Sequence, residues 1–325
     1  MKSFCFCIFR ELNTLKLRTS SIVALLYLML NCCTPLEQQD YSTRLYAELE
    51  VQGHRGCRGS LPENSIAGFL QALEWRVNTL EMDVVISKDH KVVLSHEPFI
   101  SHQICLDRTG SEIDSATHFQ YNIYEMTYQE IKEFDCGSKP PVGFIHQKPI
   151  PGPKPLLREV IQAVENKRIQ LKLPPVKYNI ETKILPGYDE IFHPGPAKFV
   201  ELVLAVVKEK EITERTIIQS FDPRTLQQVR AQNPTITTAL LIDNKQGPLF
   251  NFIQLGFEPS IYSPDHNLVT DSLVQYLHKK HIAVIPWTVN DLADMNKCIE
   301  MGVDGIITDY PEILLKQLGR LGKQP

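Results

Sequence analysis

The chain has 325 residues, 43% of them apolar and 22% charged, an ordinary globular composition with length enough for one large α/β barrel or two smaller domains. Its net charge of -4, with Lys and Arg scattered along the chain, leaves no basic footprint and excludes a nucleic-acid partner.

The first 33 residues read differently from the rest. Lys2, Arg10, Lys16 and Arg18 form a basic stretch, and Ile22 to Leu30 is an apolar run too short to span a bilayer as a helix but suited to a signal-peptide core. Residues 1–33 are therefore read as a signal peptide, which predicts export to the periplasm or envelope of a bacterium. Cys32-Cys33-Thr34 follows the core and resembles the lipobox of bacterial lipoproteins, in which a lipidated cysteine becomes the mature N-terminus and anchors the chain to the membrane. Asn31 stands where Gly, Ala or Ser is usual, so an ordinary cleaved signal is the alternative. Residues 34–47 read as a polar linker, and 48–319 as the folded barrel.

From Glu50 onward, apolar strand-like runs alternate with amphipathic stretches. Strands are predicted at Glu50–Gly53, Thr79–Ile86, Val92–His96, Lys177–Thr182, Thr216–Gln219, Thr237–Leu241, Pro259–Tyr262, Ala283–Thr288 and Gly305–Thr308, with helices between most of them. This alternation implies parallel βα units, best satisfied by a TIM (β/α)8-type barrel with one helix missing. A doubly wound open sheet is the second choice. The five residues Ser87–Lys91 are too few for a crossover helix, so the second and third strands break the alternation. After the third strand it stops from about 99 to 152, a stretch rich in Pro, Gly, His and Tyr with one short helix predicted at Thr127–Phe134. So long an insertion behind a strand end is expected to cap the active site and select substrate. Cys105 and Cys136 both lie in it and could pair in an oxidising compartment, free thiols being the alternative. Nothing in the spacing of the cysteines suggests zinc.

The chemistry sits at strand ends. His54-Arg55-Gly56 closes the first strand. Glu81 and Asp83 share one face of the second, since residues two apart on a strand point the same way. Two carboxylates side by side in an apolar strand are costly unless a cation neutralises them, either a metal ion or a neighbouring Lys or Arg. Glu181 and Lys183 repeat the arrangement on the fourth strand. Three acidic ligands without cysteine favour one hard divalent cation, Ca2+ or Mg2+. His96 closes the third strand, and alone it would read as structural.

Taken together, His-Arg-Gly, Pro62-Glu63-Asn64, Glu81-Met82-Asp83, His96, Asn179 to Lys183, Gln219-Ser220-Phe221, Trp287 to Asn290 and Asp304 to Pro311 resemble, in this order, the glycerophosphodiester phosphodiesterase family. The resemblance covers about 50 to 318. It implies a barrel enzyme that hydrolyses small glycerophosphodiesters to sn-glycerol 3-phosphate and an alcohol. It also implies Glu81, Asp83 and Glu181 as metal ligands, and His54 and His96 as the acid/base pair. Arg55 and Lys183 would hold the phosphate, with Trp287 and Phe221 lining the glycerol pocket. The family's His-Asp is here His96-Glu97, which leaves the acid's role open. Asp309 could support the site or cap the following helix. Two other readings stand beside this one: a phospholipase-type diesterase acting on intact lipids, and an inactive, envelope-anchored binding barrel. The second predicts a lost ligand or histidine, and none is lost. No protein partner is implied.

Overall fold

The computed structural model of the protein describes residues 49–322. The predicted signal peptide, Cys32, Cys33 and the linker lie outside the described residues.

Nine strands form among the described residues: β1 (Glu50–Gly53), β2 (Thr79–Ile86), β3 (Val92–Leu94), β4 (Lys177–Thr182), β5 (Thr216–Ser220), β6 (Thr237–Ile242), β7 (Ile261–Pro264), β8 (Ala283–Val284) and β9 (Gly305–Thr308). Eight of them run parallel in the order β8-β7-β6-β5-β4-β2-β1-β9. The two ends meet through Asp304 N to Val284 O (2.9 Å) and Ile307 N to Pro286 O (3.0 Å), which closes the barrel and removes the open-sheet alternative. Ile217, Ala239, Ile261, Ile285 and Ile307 pack together on alternating inward positions, as barrel interiors require. The predicted eighth strand is cut short after Val284, where Pro286 has no N–H to give to the ladder. The seventh lies at Ile261–Pro264 rather than Pro259–Tyr262.

The third strand differs in kind from the prediction. β3 pairs antiparallel with β2, Val85 opposite Val93, and stands off the barrel path. The short Ser87–Lys91 link permits only a hairpin. The insertion thus follows the second barrel strand, and the helix predicted at Leu156–Asn166 forms after it at Leu157–Gln170, so each of the eight barrel strands has its helix and none is missing.

Helix starts follow local chemistry. Ser65 caps α1 (Ile66–Trp75) by accepting from Gly68 N. Proline occupies the first turn of the helices at 196–209, 223–232, 248–255 and 311–317, where its missing N–H costs nothing.

The insertion has a core of its own. Ile100, Ile104, Ile123, Ile131 and Phe134 bury against Val85 and Val93 of the hairpin, and Cys105 is disulfide-bonded to Cys136 within it. The predicted helix shrinks to Tyr128–Ile131, started by a reciprocal cap between Thr127 and Glu130.

Candidate active site

Register builds the acidic cluster. Parallel pairing of β2 with β4 sets Asp83 opposite Glu181 and Glu81 opposite Asn179. All three carboxylates are buried, and one ligand oxygen from each lies within 4.8 Å of the others. Burial, and then the charges of Asp83 and Glu181, push the Glu81 carboxyl well above the ordinary range. Glu181 is raised by burial too, although Lys183 opposes the shift. Burial also works against the Asp83 carboxylate, but Arg55, His96 and Lys183 overcome it and hold Asp83 far below the usual value. Its Oδ1 is buried without a hydrogen-bond partner. Buried acceptors that repel one another, one of them unsatisfied, fit a hard cation bound through oxygen.

Neighbours fix these carboxylates in place. Asn64 donates Nδ2 to Asp83 Oδ2 (2.9 Å) and accepts from Asp83 N (3.1 Å). Gln219 donates to Glu81 Oε1 (2.8 Å), and Asn179 Nδ2 donates to both Gln219 and Gln52. Asn64 and Gln219 lie in motifs visible in the sequence, but their partners depend on cross-strand register, which short motifs do not reveal.

Each histidine carries a carboxylate. His54 Nδ1 lies 2.7 Å from Asp309 Oδ1, and Asn290 donates to the other oxygen of Asp309 at 2.7 Å. Burial would raise the Asp309 carboxyl, but His54 and then Arg58 and Asn290 hold it below its usual value. Asp309 therefore supports His54; the residue before the following helix is Tyr310. His96 Nδ1 lies 2.7 Å from Glu97 Oε1, and this hydrogen bond is the main reason that the Glu97 carboxyl is lowered. A carboxylate on Nδ1 leaves Nε2 of each ring for proton exchange.

Two cations complete the group. Lys183 Nζ lies 2.7 Å from Glu181 Oε1 and 4.0 Å from Asp83 Oδ1. Arg55 donates its backbone N–H to Glu81 (2.8 Å) and Nη1 to Glu63 (3.1 Å). Its Nε is 3.0 Å from Asp83 Oδ2, an ion pair off the hydrogen-bonding direction. Nη2 has no protein acceptor among the described residues.

A cavity of about 80 Å³ is lined by His54, Arg55, Glu81, His96, Glu181, Lys183, Phe221 and Trp287 together. Of the nine residues singled out in the sequence only Asp83 lies behind the wall, beneath Arg55. Trp287 is fixed by Nε1 donating to Ser263 O (2.8 Å), and Phe221 meets it edge-on at 5.2 Å. Beyond His96 and Lys183 a second, apolar cavity of about 290 Å³ opens between the insertion and the loop after β4. Phe99 and Phe119 form one wall; Leu185, Tyr188 and Phe192 form the other. Hydrogen bonds from Asn122 to Ile191 O (2.7 Å) and from Tyr124 to Glu190 (2.9 Å) tie the walls together.

A glycerophosphodiester phosphodiesterase of Caldanaerobacter subterraneus subsp. tengcongensis is 30% identical over 274 residues, 84% of this chain and 98% of that protein. The crystal structure of a putative glycerophosphoryl diester phosphodiesterase from Silicibacter pomeroyi superposes with a TM-score of 0.75 at 30% identity, covering 85% of this chain and 95% of that one. An Oleispira antarctica phosphodiesterase, solved with the product sn-glycerol-3-phosphate, shares the fold with a TM-score of 0.66 at 20% identity, over 85% of this chain and 99% of its own. The sequence profile of the glycerophosphoryl diester phosphodiesterase family matches residues 54–313, and with it the chain belongs to that family of phosphoric diester hydrolases.

Proposed function

We propose that the protein hydrolyses glycerophosphodiesters to sn-glycerol 3-phosphate and an alcohol, using one divalent cation, Ca2+ or Mg2+, and the His54/His96 pair. The observation that carries this reading is a single cavity on which two carboxylate-backed imidazoles face a buried three-carboxylate cluster. Glu81, Asp83 and Glu181 would hold the cation, which when bound neutralises charge on the diester oxygens. Arg55 Nη2 and Lys183 bind the phosphate, the arginine through its planar fork. One imidazole takes a proton from the attacking oxygen while the other gives one to the leaving alcohol, each through Nε2. Trp287 and Phe221 close the glycerol end against water. The sn-glycerol-3-phosphate bound to the Oleispira antarctica relative supports the product assignment. The insertion, through Phe99 and Phe119, sets which substrates enter. Export agrees with the Cys105–Cys136 bridge, since such bridges persist in oxidising compartments.

The test is turnover of the purified protein on choline, ethanolamine, glycerol and inositol diesters, with sn-glycerol 3-phosphate measured directly, with and without EDTA. Release of sn-glycerol 3-phosphate that stops on chelation and returns with Ca2+ or Mg2+ is the expected result. Unchanged turnover by a metal-free preparation would overturn the metal assignment.

The apolar cavity beside His96 favours a second reading, a lipid diester whose aliphatic chain lies between Phe119 and Tyr188. A lysophospholipid hydrolysed faster than its deacylated counterpart, with the advantage lost in Phe119→Asp, would establish it.

A further inference from the structure

The two histidine pairs differ in how their carboxylates are completed. Asp309 has both oxygens occupied, one by His54 and the other by Asn290. Glu97 gives Oε1 to His96, while its Oε2 accepts no hydrogen bond among the described residues. Lys154 is only 5% exposed, and it makes no hydrogen bond or ion pair among the described residues. Burial works against its charged form, and the side chain lines a cavity together with Glu63.

Lys154 is rigidly mounted. It lies between Pro153 and Pro155, and a following proline confines a residue to extended backbone. Leu94 N donates to Pro155 O at 2.9 Å, and Val93 bridges Leu156 antiparallel. Continuing this register places Lys154 across from Ser95, beside the turn that carries His96 and Glu97. Burial, the largest influence, lowers the Lys154 pKa, while the carboxylates of Glu63, Glu97 and Asp83 oppose the shift. Glu63 is already taken, with Arg55 Nη1 on both of its oxygens and Arg58 Nε 2.7 Å from Oε2. Asp83 gives Oδ2 to Arg55 and Asn64, and its unpaired Oδ1 faces Lys183 and the acidic cluster. Glu97 Oε2 is the acceptor left over.

We propose that Lys154 is a positioning residue for His96: its ammonium takes Glu97 Oε2 in the working enzyme and holds the carboxylate against Nδ1, as Asn290 does for Asp309. Lys154 touches no reacting atom, and its effect passes entirely through Glu97. This rests on the reading of His96 as a proton-transfer residue.

A double-mutant cycle on Lys154→Met and Glu97→Gln tests it. Lys154→Met keeps the length and apolar body of the side chain and removes the charge. It should lower kcat about 10-fold, as loss of an outer hydrogen-bond partner does, with KM within about two-fold. Lys154→Arg should restore most of the loss. In the Glu97→Gln background, Lys154→Met should cost almost nothing more, because the group it acts through is gone. Equal losses in both backgrounds, or an effect confined to KM, would overturn the proposal; the latter would assign Lys154 to substrate binding instead. A second readout needs no turnover: by nitrogen-edited NMR the Nδ1 proton of His96 should exchange slowly in the parent and rapidly in both Lys154→Met and Glu97→Gln. Unchanged exchange in Lys154→Met sinks the positioning role. An inactive parent with the expected exchange pattern would count against the phosphodiesterase reading alone.

Discussion

His54 and His96 hold a carboxylate at the same distance, 2.7 Å, but in different surroundings. Asp309 is buried, arrives from β9 on the far side of 255 residues, and is locked by Asn290. Glu97 is the next residue in the chain after His96 and keeps 41% of its side chain exposed. One pair is part of the barrel wall, while the other sits on a hairpin end beside the insertion. The difference divides the site into a fixed half, His54 with the acidic cluster, and an adjustable half, His96 with the apolar cavity. Substrate variation can then be absorbed on the His96 side without disturbing the ligands of a cation.

The largest effects should come from either imidazole. His54→Ala and His96→Ala are each expected to lower kcat by about 10²–10⁴-fold, the usual cost of losing a general acid or base, with thermal unfolding little changed. A His96→Ala enzyme within a few-fold of the parent would make that ring structural and collapse the division of the site.

The next comparison separates the supporting acids. Asp309→Ala should lose about 100-fold in kcat and Glu97→Ala nearer 10-fold, the two ends of the range for outer-shell partners. Steady-state kinetics on one diester decide it. Equal losses would mean that burial and the Asn290 lock add nothing to the orientation of His54.

The barrel, its strand ends and the gathering of eight of the nine singled-out residues on one cavity were legible because strand periodicity and short motifs are local properties. Six of the nine predicted strands form within one residue of the expected bounds, and Glu81, Asp83 and Glu181 converge because alternation fixes the face of each side chain. The direction of β3 was less legible, since a three-residue strand carries no mark of its partner; only the brevity of the 87–91 link pointed to a hairpin. Lys154 escaped notice for a related reason. In the sequence it is one lysine among prolines, and its burial comes from the insertion folding back on β3.

The fixed half should also respond to pH through its cation. Glu81 is raised well above the ordinary carboxyl range by burial and by Asp83 and Glu181, so without a cation it tends to keep its proton. The sign follows. A carboxyl with a raised folded-state pKa favours the fold at low pH, and that contribution is lost as pH rises through the folded value. A bound cation must displace the proton, so its affinity should climb with pH above the ordinary carboxyl range and flatten once Glu81 is ionised. Calorimetric titration of Ca2+ or Mg2+ at about pH 5, 6 and 7 measures it, and affinity independent of pH would show that Glu81 is already ionised in the cation-free protein. Asp309, whose carboxyl is lowered, behaves oppositely: its contribution is present above the ordinary carboxyl range and disappears as pH falls through its folded value.

The smallest effect on chemistry should come from the adjustable half's scaffold. Cys105 and Cys136 close a 31-residue separation inside the insertion, whose core packs on Val85 and Val93 of the hairpin rather than inside the barrel. A bridge of this span stabilises by about 2–4 kcal/mol, chiefly through the unfolded chain. In Cys105→Ser/Cys136→Ser the loss should fall on the insertion, as a local opening below the global transition. Phe99 and Phe119 would then be held less firmly against Tyr188 and Phe192, while the barrel still presents His54, Arg55 and the acidic cluster unchanged. The expected outcome is a raised KM and altered preference among head groups, with the metal requirement intact. Hydrogen exchange should rise at 99–152 and stay level in β2, β4 and β9. Faster exchange spread evenly over the barrel strands would show that insertion and barrel unfold as one unit, and the adjustable half would lose its independence.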